Sequence, residues 1–152
     1  MARAPFQILV FPYRRQESGD VQYAIFSRVD CSCWQGIAGG GEEDETPLEA
    51  AKRESFEEAG IPGNYPYIQL DTINSIPVIH FRDSYLWGEK IYVIPEYTFG
   101  VHIGKNEIRL SSEHKELRWV NIEEAMTMLK YDGNQTALWE LNQKVLGKGP
   151  RG

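Results

Sequence analysis

The chain has 152 residues (17.4 kDa), with 22 acidic and 16 basic residues for a formal net charge of −6. With 41% hydrophobic residues it can bury enough apolar surface to offset chain entropy, which excludes disorder and points to a single domain over 1–152, with 147–152 as a frayed tail. The acidic balance argues against a nucleic-acid partner. The longest apolar run, Pro5 to Tyr13, is nine residues, about half of the roughly 18 that a membrane span needs.

Phe6 to Tyr13 reads as a strand apolar on both faces and Val21 to Val29 as a second, with the polar RRQESGD between them as a hairpin turn. Arg14 and Arg15 stand where a signal peptide would be cleaved, so a cytoplasmic location is expected. Cys31 to Gly41 reads as a loop ending in three glycines. Its Cys31 and Cys33 are expected as free thiols, because near neighbours seldom meet disulfide geometry and no second pair exists for zinc. Thr46-Pro47-Leu48-Glu49 supplies a capping hydroxyl, a proline at the first helical position and a glutamate three residues after the cap. Gly60 then ends the turn, which predicts a helix over 47–59. Tyr67 to Ile76, Lys90 to Val101 and Leu117 to Val120 have strand character, while Asn121 to Lys130 and Asn134 to Leu146 have helical spacing.

The charge excess is local. From Glu42 to Glu58 there are eight acids and two bases, and outside this window acids and bases balance at fourteen each. At about 100° per residue, Glu57, Glu54 and Glu58 share an arc of roughly 100° on the predicted helix. Ala50 and Ala51 are interleaved with them and leave room around the carboxylates, whereas Leu48, Ser55 and Ala59 fall on the core side. Like charges at this spacing repel, and the last helical turn disfavours anions. With no base on the same arc, a hard divalent cation with oxygen ligands is the economical explanation; the alternative is a solvated acidic face. Arg53 is placed to pair with Glu45 or a neighbouring carboxylate and to hold the loop against the helix.

Gly39 to Ile61, GGGEEDETPLEAAKRESFEEAGI, resembles the Nudix box G-x5-E-x7-R-E-U-x-E-E-x-G-U through Gly39, Glu45, Arg53, Glu54, Glu57, Glu58, Gly60 and Ile61. Ser55 departs from it, standing where an aliphatic residue is usual. The resemblance implies an α+β fold, an α/β/α sandwich with a mixed sheet between helices, and a Mg²⁺- or Mn²⁺-dependent hydrolase of substituted nucleoside diphosphates. By position, Glu54, Glu57 and Glu58 with the Gly39 carbonyl would hold metal, and Glu45 and Arg53 would brace the loop and helix. Two further stretches resemble the subgroup acting on dihydroneopterin triphosphate and dATP: CSCWQGIAGG (31–40), and SSEHKELRWVNIEEAMTML with GNQTALWELN.

In that subgroup a glutamate before the W-V strand completes the metal or base set, and Glu113 matches it; otherwise it is an exposed loop acid. Arg28 is either a phosphate contact or a surface arginine, and Trp34 either a stacking platform or a packed core residue. The aromatic and charged segment 79–90 offers Tyr85, Trp87 or Lys90 as pocket lining, whereas His80, His102 and His114 lack ligand spacing. The expected reaction releases pyrophosphate from a small nucleoside or pterin triphosphate, with the chain a monomer or homodimer. Another linked diphosphate as substrate, or a non-catalytic binding module, are the alternatives. The general base is Glu54, Glu58 or Glu113.

Overall fold

The computed structural model describes residues 2–152. Its strands are β1 (Arg3–Arg15), β2 (Val21–Arg28), β3 (Trp34–Gln35), β4 (Ile37–Glu42), β5 (Tyr67–Pro77), β6 (Val93–His102) and β7 (His114–Val120). The helices are α1 (Pro47–Ala59), α2 (Ile122–Met128) and α3 (Asp132–Leu146). All seven strands join one mixed sheet. The central β1 runs parallel to β6 along one edge, while its other edge pairs antiparallel with β4 over its first part and with β2 over its last three residues. β2 also pairs with β7 and β3, and β5 closes the far side on β6.

Alternation in β1 explains why its sequence is apolar throughout. Ile8 and Val10 face α1 together with Phe26, Ile37 and Phe99, whereas Leu9 and Phe11 face α2 and α3 with Tyr23, Ile25, Leu138 and Leu141. A sheet covered on both faces buries both sets, each large side chain contributing about 1.5–3 kcal/mol. The α/β/α sandwich expected above is therefore what forms. Leu141 occupies the space that a Cβ on Gly100 would need, which lets α3 lie close on β6. Glu140, also on α3, accepts hydrogen bonds from Asp71 N (2.6 Å), Thr72 N (2.9 Å) and Thr72 Oγ1 (2.6 Å), where β5 slips register against β6. These bonds satisfy backbone donors that the register shift leaves without a strand partner.

Three expectations need correction. Cys31 to Gly41 is not a loop, because it contributes β3 and β4. Its glycines are strand residues whose missing Cβ atoms make room for Glu54 at Gly39, the Arg3 guanidinium at Gly40 and the Phe6 ring at Gly41. Cys31 and Cys33 are not free thiols but a disulfide, since the bends at 29–32 bring their Cα atoms to 5.4 Å, within bridging range. Finally, Ala50 and Ala51 do not leave open space around the carboxylates. Both are fully buried against the sheet with Ala59, while Leu48 is partly exposed.

The helix bounds are those its punctuation predicts. Glu49 N donates to Thr46 Oγ1 (3.1 Å) and Thr46 N to Glu49 Oε1 (2.8 Å), and Gly60 ends the helix at φ 69°, which favours glycine. Thr46→Ala should cost about 1 kcal/mol of stability through loss of this cap. A urea titration read by circular dichroism checks this, and an unchanged midpoint would show the cap to be dispensable.

Candidate active site

Small residues set the site's depth. Because α1 meets the sheet through Ala50, Ala51, Ser55 and Ala59, it lies close enough that Glu58, in the middle of that face, is 3% exposed. Neither Glu58 oxygen has a hydrogen-bond partner among the described residues. Burial first, and then the nearby Glu54 and Glu113 carboxylates, push the Glu58 carboxyl well above the ordinary carboxylate range. Ser55 is fully buried as well, so the smaller side chain at the usual aliphatic position still faces the core.

Arg53 organises what surrounds it. Its Nε donates to Glu45 Oε2 (2.7 Å), and its Nη2 to Glu45 Oε1 (3.0 Å) and to the Gly40 carbonyl (2.8 Å). The two-pronged contact ties the 43–46 turn and the glycine strand to α1, as the sequence led us to expect. Nη1 continues to Glu54 Oε1 (3.0 Å) and Glu57 Oε2 (3.3 Å), so a base does reach the acidic arc, from its neighbouring angle on the helix. Bonding to Arg53 holds Glu45 below the ordinary carboxylate range, and bonding to Glu45 and then Glu54 raises the already high arginine value against the lowering effect of burial.

Glu54 packs on Gly39, in the space a side chain there would fill. Glu57 is half-exposed at the rim. Among the described residues, no three His, Cys, Asp or Glu side chains stand close enough to share one ion. Arg53 Nη1 holds one oxygen each of Glu54 and Glu57. The donor set nevertheless suits a hard divalent cation. It offers carboxylate oxygens, a glycine strand without obstructing side chains, and in Glu58 a buried carboxyl that makes no hydrogen bond, with His114 Nε2 3.3 Å from its Oε1.

β7 begins earlier than predicted, at His114, and this brings the preceding loop to the site. Glu113, exposed, lies within electrostatic range of Glu58 and Arg28. The buried imidazole of His114 packs against Phe26 at a tilt of 43°, with Nε2 3.3 Å from Glu58 Oε1. Burial, and then Arg28, hold His114 below its ordinary value. Its lack of ligand spacing concealed this contact, and only the register of β7 against β2 reveals it. Arg28, at the end of β2, bonds Asp30 Oδ1 (3.1 Å) while sensing Glu113 and Glu58.

Trp34 and Lys90 are the other two expected substrate contacts. Trp34 packs with the α2/α3 core, and its ring is covered by the Arg118 guanidinium at 5.3 Å. Lys90 is exposed in the connection leading to β6. The two described clefts also lie elsewhere, one of about 600 Å³ beside Arg14 and Trp119 and one of about 460 Å³ beside Trp139. Arg3, near Glu54, was not singled out in the sequence; a lone arginine before an apolar strand carries no signal of its own.

Comparison with known proteins bears on this arrangement. A family profile described as NUDIX domain matches residues 10–140. A dihydroneopterin triphosphate diphosphatase from Haemophilus influenzae is 31% identical over 72% of this chain and 70% of its own. A bis(5'-nucleosyl)-tetraphosphatase [asymmetrical] from Mus musculus is 31% identical over 85% of this chain and 84% of its own. A crystal structure described as a Nudix hydrolase, from Listeria monocytogenes, superimposes with a TM-score of 0.85 at 40% identity, covering 95% of this chain and 96% of that one. The chain spans only 26% to 54% of the length of three further curated relatives that it matches.

The buried carboxyl predicts a pH-dependent stability in chelator. A group whose value is raised in the folded state favours folding below the ordinary carboxylate range, and that contribution is lost as pH rises above it. Glu58→Gln should therefore raise the melting temperature at pH 8 in EDTA and have little effect near pH 4. Equal effects at both pH values would mean that Glu58 titrates normally.

Proposed function

Because the chain belongs to the Nudix hydrolase family, we propose that it is a divalent-metal-dependent pyrophosphohydrolase cleaving a (deoxy)nucleoside or pterin triphosphate to the monophosphate and pyrophosphate. The observation that carries this reading is the Glu58 carboxyl, buried without a hydrogen-bond partner beside Glu54 and the glycine strand. Glu54, Glu57 and Glu58, with the Gly39 carbonyl and Glu113, are the groups that would hold magnesium or manganese. Bound there, the ion would neutralise charge on the phosphate oxygens and lower the pKa of an attacking water.

The chain's own residues supply the rest. Arg53 keeps the 43–46 turn, the Gly40 carbonyl and the rim carboxylates in one register with α1. Arg28 offers a guanidinium to a phosphate oxygen in exchange for Asp30. Glu54, Glu58 and Glu113 are the carboxylates available to take the water proton. Trp34, as a stacking platform, and Lys90, as pocket lining, are the further groups that would contact the substrate away from the metal.

A triphosphate substrate is favoured by the lead-in 31–40 and the tail from Ser111, together with the similarity to a relative named for dihydroneopterin triphosphate. The similarity to a bis(5'-nucleosyl)-tetraphosphatase at equal identity, over more of both chains, favours a second reading, cleavage of a dinucleoside polyphosphate. A non-catalytic module fits less well, since every box glutamate and Arg53 are present.

With Mg²⁺ or Mn²⁺, pyrophosphate release from dATP, dGTP or dihydroneopterin triphosphate is expected to exceed hydrolysis of diadenosine tetraphosphate or ADP-ribose. Glu57→Gln should lower this turnover by about tenfold to a hundredfold and leave the melting temperature nearly unchanged, because the side chain is half-exposed. Undiminished pyrophosphate release from the variant would remove Glu57 from the reaction.

A further inference from the structure

On the sheet face that α3 covers, a row of polar side chains crosses one end, and the chemistry above does not use it. Gln7 on β1 lies opposite Glu96 on β6, which lies opposite Asn74 on β5. Gln7 has the parity of Leu9 and Phe11. Glu96 has that of Gly100, whose missing Cβ accommodates Leu141, so the row lies on the α3 face.

Glu96 is 7% exposed, and Asn74 Nδ2 donates to its Oε1 at 2.9 Å. No cation pairs with it among the described residues. An apolar residue at this strand position would cost less, so the carboxyl calls for a further donor. Burial raises the carboxyl and the bond from Asn74 opposes that rise, as expected of a group short of donors.

Arg3 closes one end of the row. Its Nη2 donates to Gln7 Oε1, which leaves the Gln7 amide nitrogen free. The guanidinium lies over Gly40, on the face opposite Glu54, and against the Phe81 and Trp87 rings at 5.2 and 5.9 Å. Its Nε is buried without a partner. At the other end the first turn of α3 presses Gly133 onto Asn74, where a side chain would not fit. The result is a polar floor, half-open at Gln7 and Asn74, between an aromatic turn and the start of α3.

We propose that Glu96, flanked by Gln7 and Asn74, reads the planar heterocycle of the substrate by accepting hydrogen bonds from adjacent ring N–H and amino donors, the 2-amino-4-oxo edge that guanine and pterins share. The proposal rests on the pyrophosphohydrolase reading. β4 carries Glu54 at Gly39 on one face and Arg3 at Gly40 on the other, so its glycines alone separate the phosphate end from the ring end. A carboxylate matches two neighbouring donors. A carboxamide instead offers an acceptor beside a donor, the complement of adenine's amino group and ring nitrogen.

Calorimetric binding of dGMP, dAMP and pterin in EDTA tests this without metal or turnover. Glu96→Gln should weaken dGMP or pterin by about tenfold or more and leave dAMP unchanged or tighter. The dGMP and pterin arms tell the two sources of that edge apart. If Glu96→Gln does not fold, Asn74→Ala, at a half-exposed position, should weaken the same ligand and spare dAMP. Equal losses for dGMP and dAMP, no loss, or no binding of any of the three by the unaltered protein would overturn the proposal. Failure of the hydrolytic reading would show separately, as no pyrophosphate release from triphosphates with Mn²⁺.

Discussion

A carboxyl group enclosed by protein, with neither oxygen hydrogen-bonded, is an expensive thing to retain, and the organisation of the α1 face follows from retaining it. Glu58 is enclosed because Ala50, Ala51, Ser55 and Ala59 let the helix settle closely on β1 and β4. A larger side chain at any of these positions would lift the helix and expose the carboxyl to water, relieving the strain and losing the site. The same closeness excludes side chains from Gly39, where Glu54 sits. Helix composition and strand composition thus serve one requirement, a carboxylate cluster seated closely against the glycine strand.

Arg53 makes the hollow tolerable to the folded chain. One guanidinium spans Glu45, the Gly40 carbonyl, Glu54 and Glu57, which spreads its charge over carboxylates that would otherwise repel. It also fixes the distance between turn, strand and helix, so the rim acids are displaced only by something that competes with a guanidinium for their oxygens. Across β4 an arginine and a buried acid occur again. There Arg3 lies over Gly40 beside two aromatic rings, and Glu96 is the buried acid of the polar row beyond it.

Much of this was legible in the residues. The cap at Thr46, the stop at Gly60 and the pairing of Arg53 with Glu45 depend on local spacing, which the linear chain displays. The glycines misled because a glycine run reads as a turn, whereas here each lacks a Cβ to make room for a side chain from another element. His114 and Arg3 were invisible for a related reason, since their importance lies in strand register and in contacts with residues far along the chain. The alanines showed the limit of the helical wheel, which gives angles and not the depth of packing. Trp34 shows the converse, a residue whose type suggested stacking and whose register delivers it to the opposite core.

The most direct test of the central claim is a Mn²⁺ titration of the unaltered protein and of Glu58→Gln, read by electron paramagnetic resonance as the loss of the free-ion signal. Saturable uptake by the unaltered protein, with affinity reduced by about tenfold or more in the variant, is the predicted result. Uptake that is absent, or identical in the two proteins, would contradict the account.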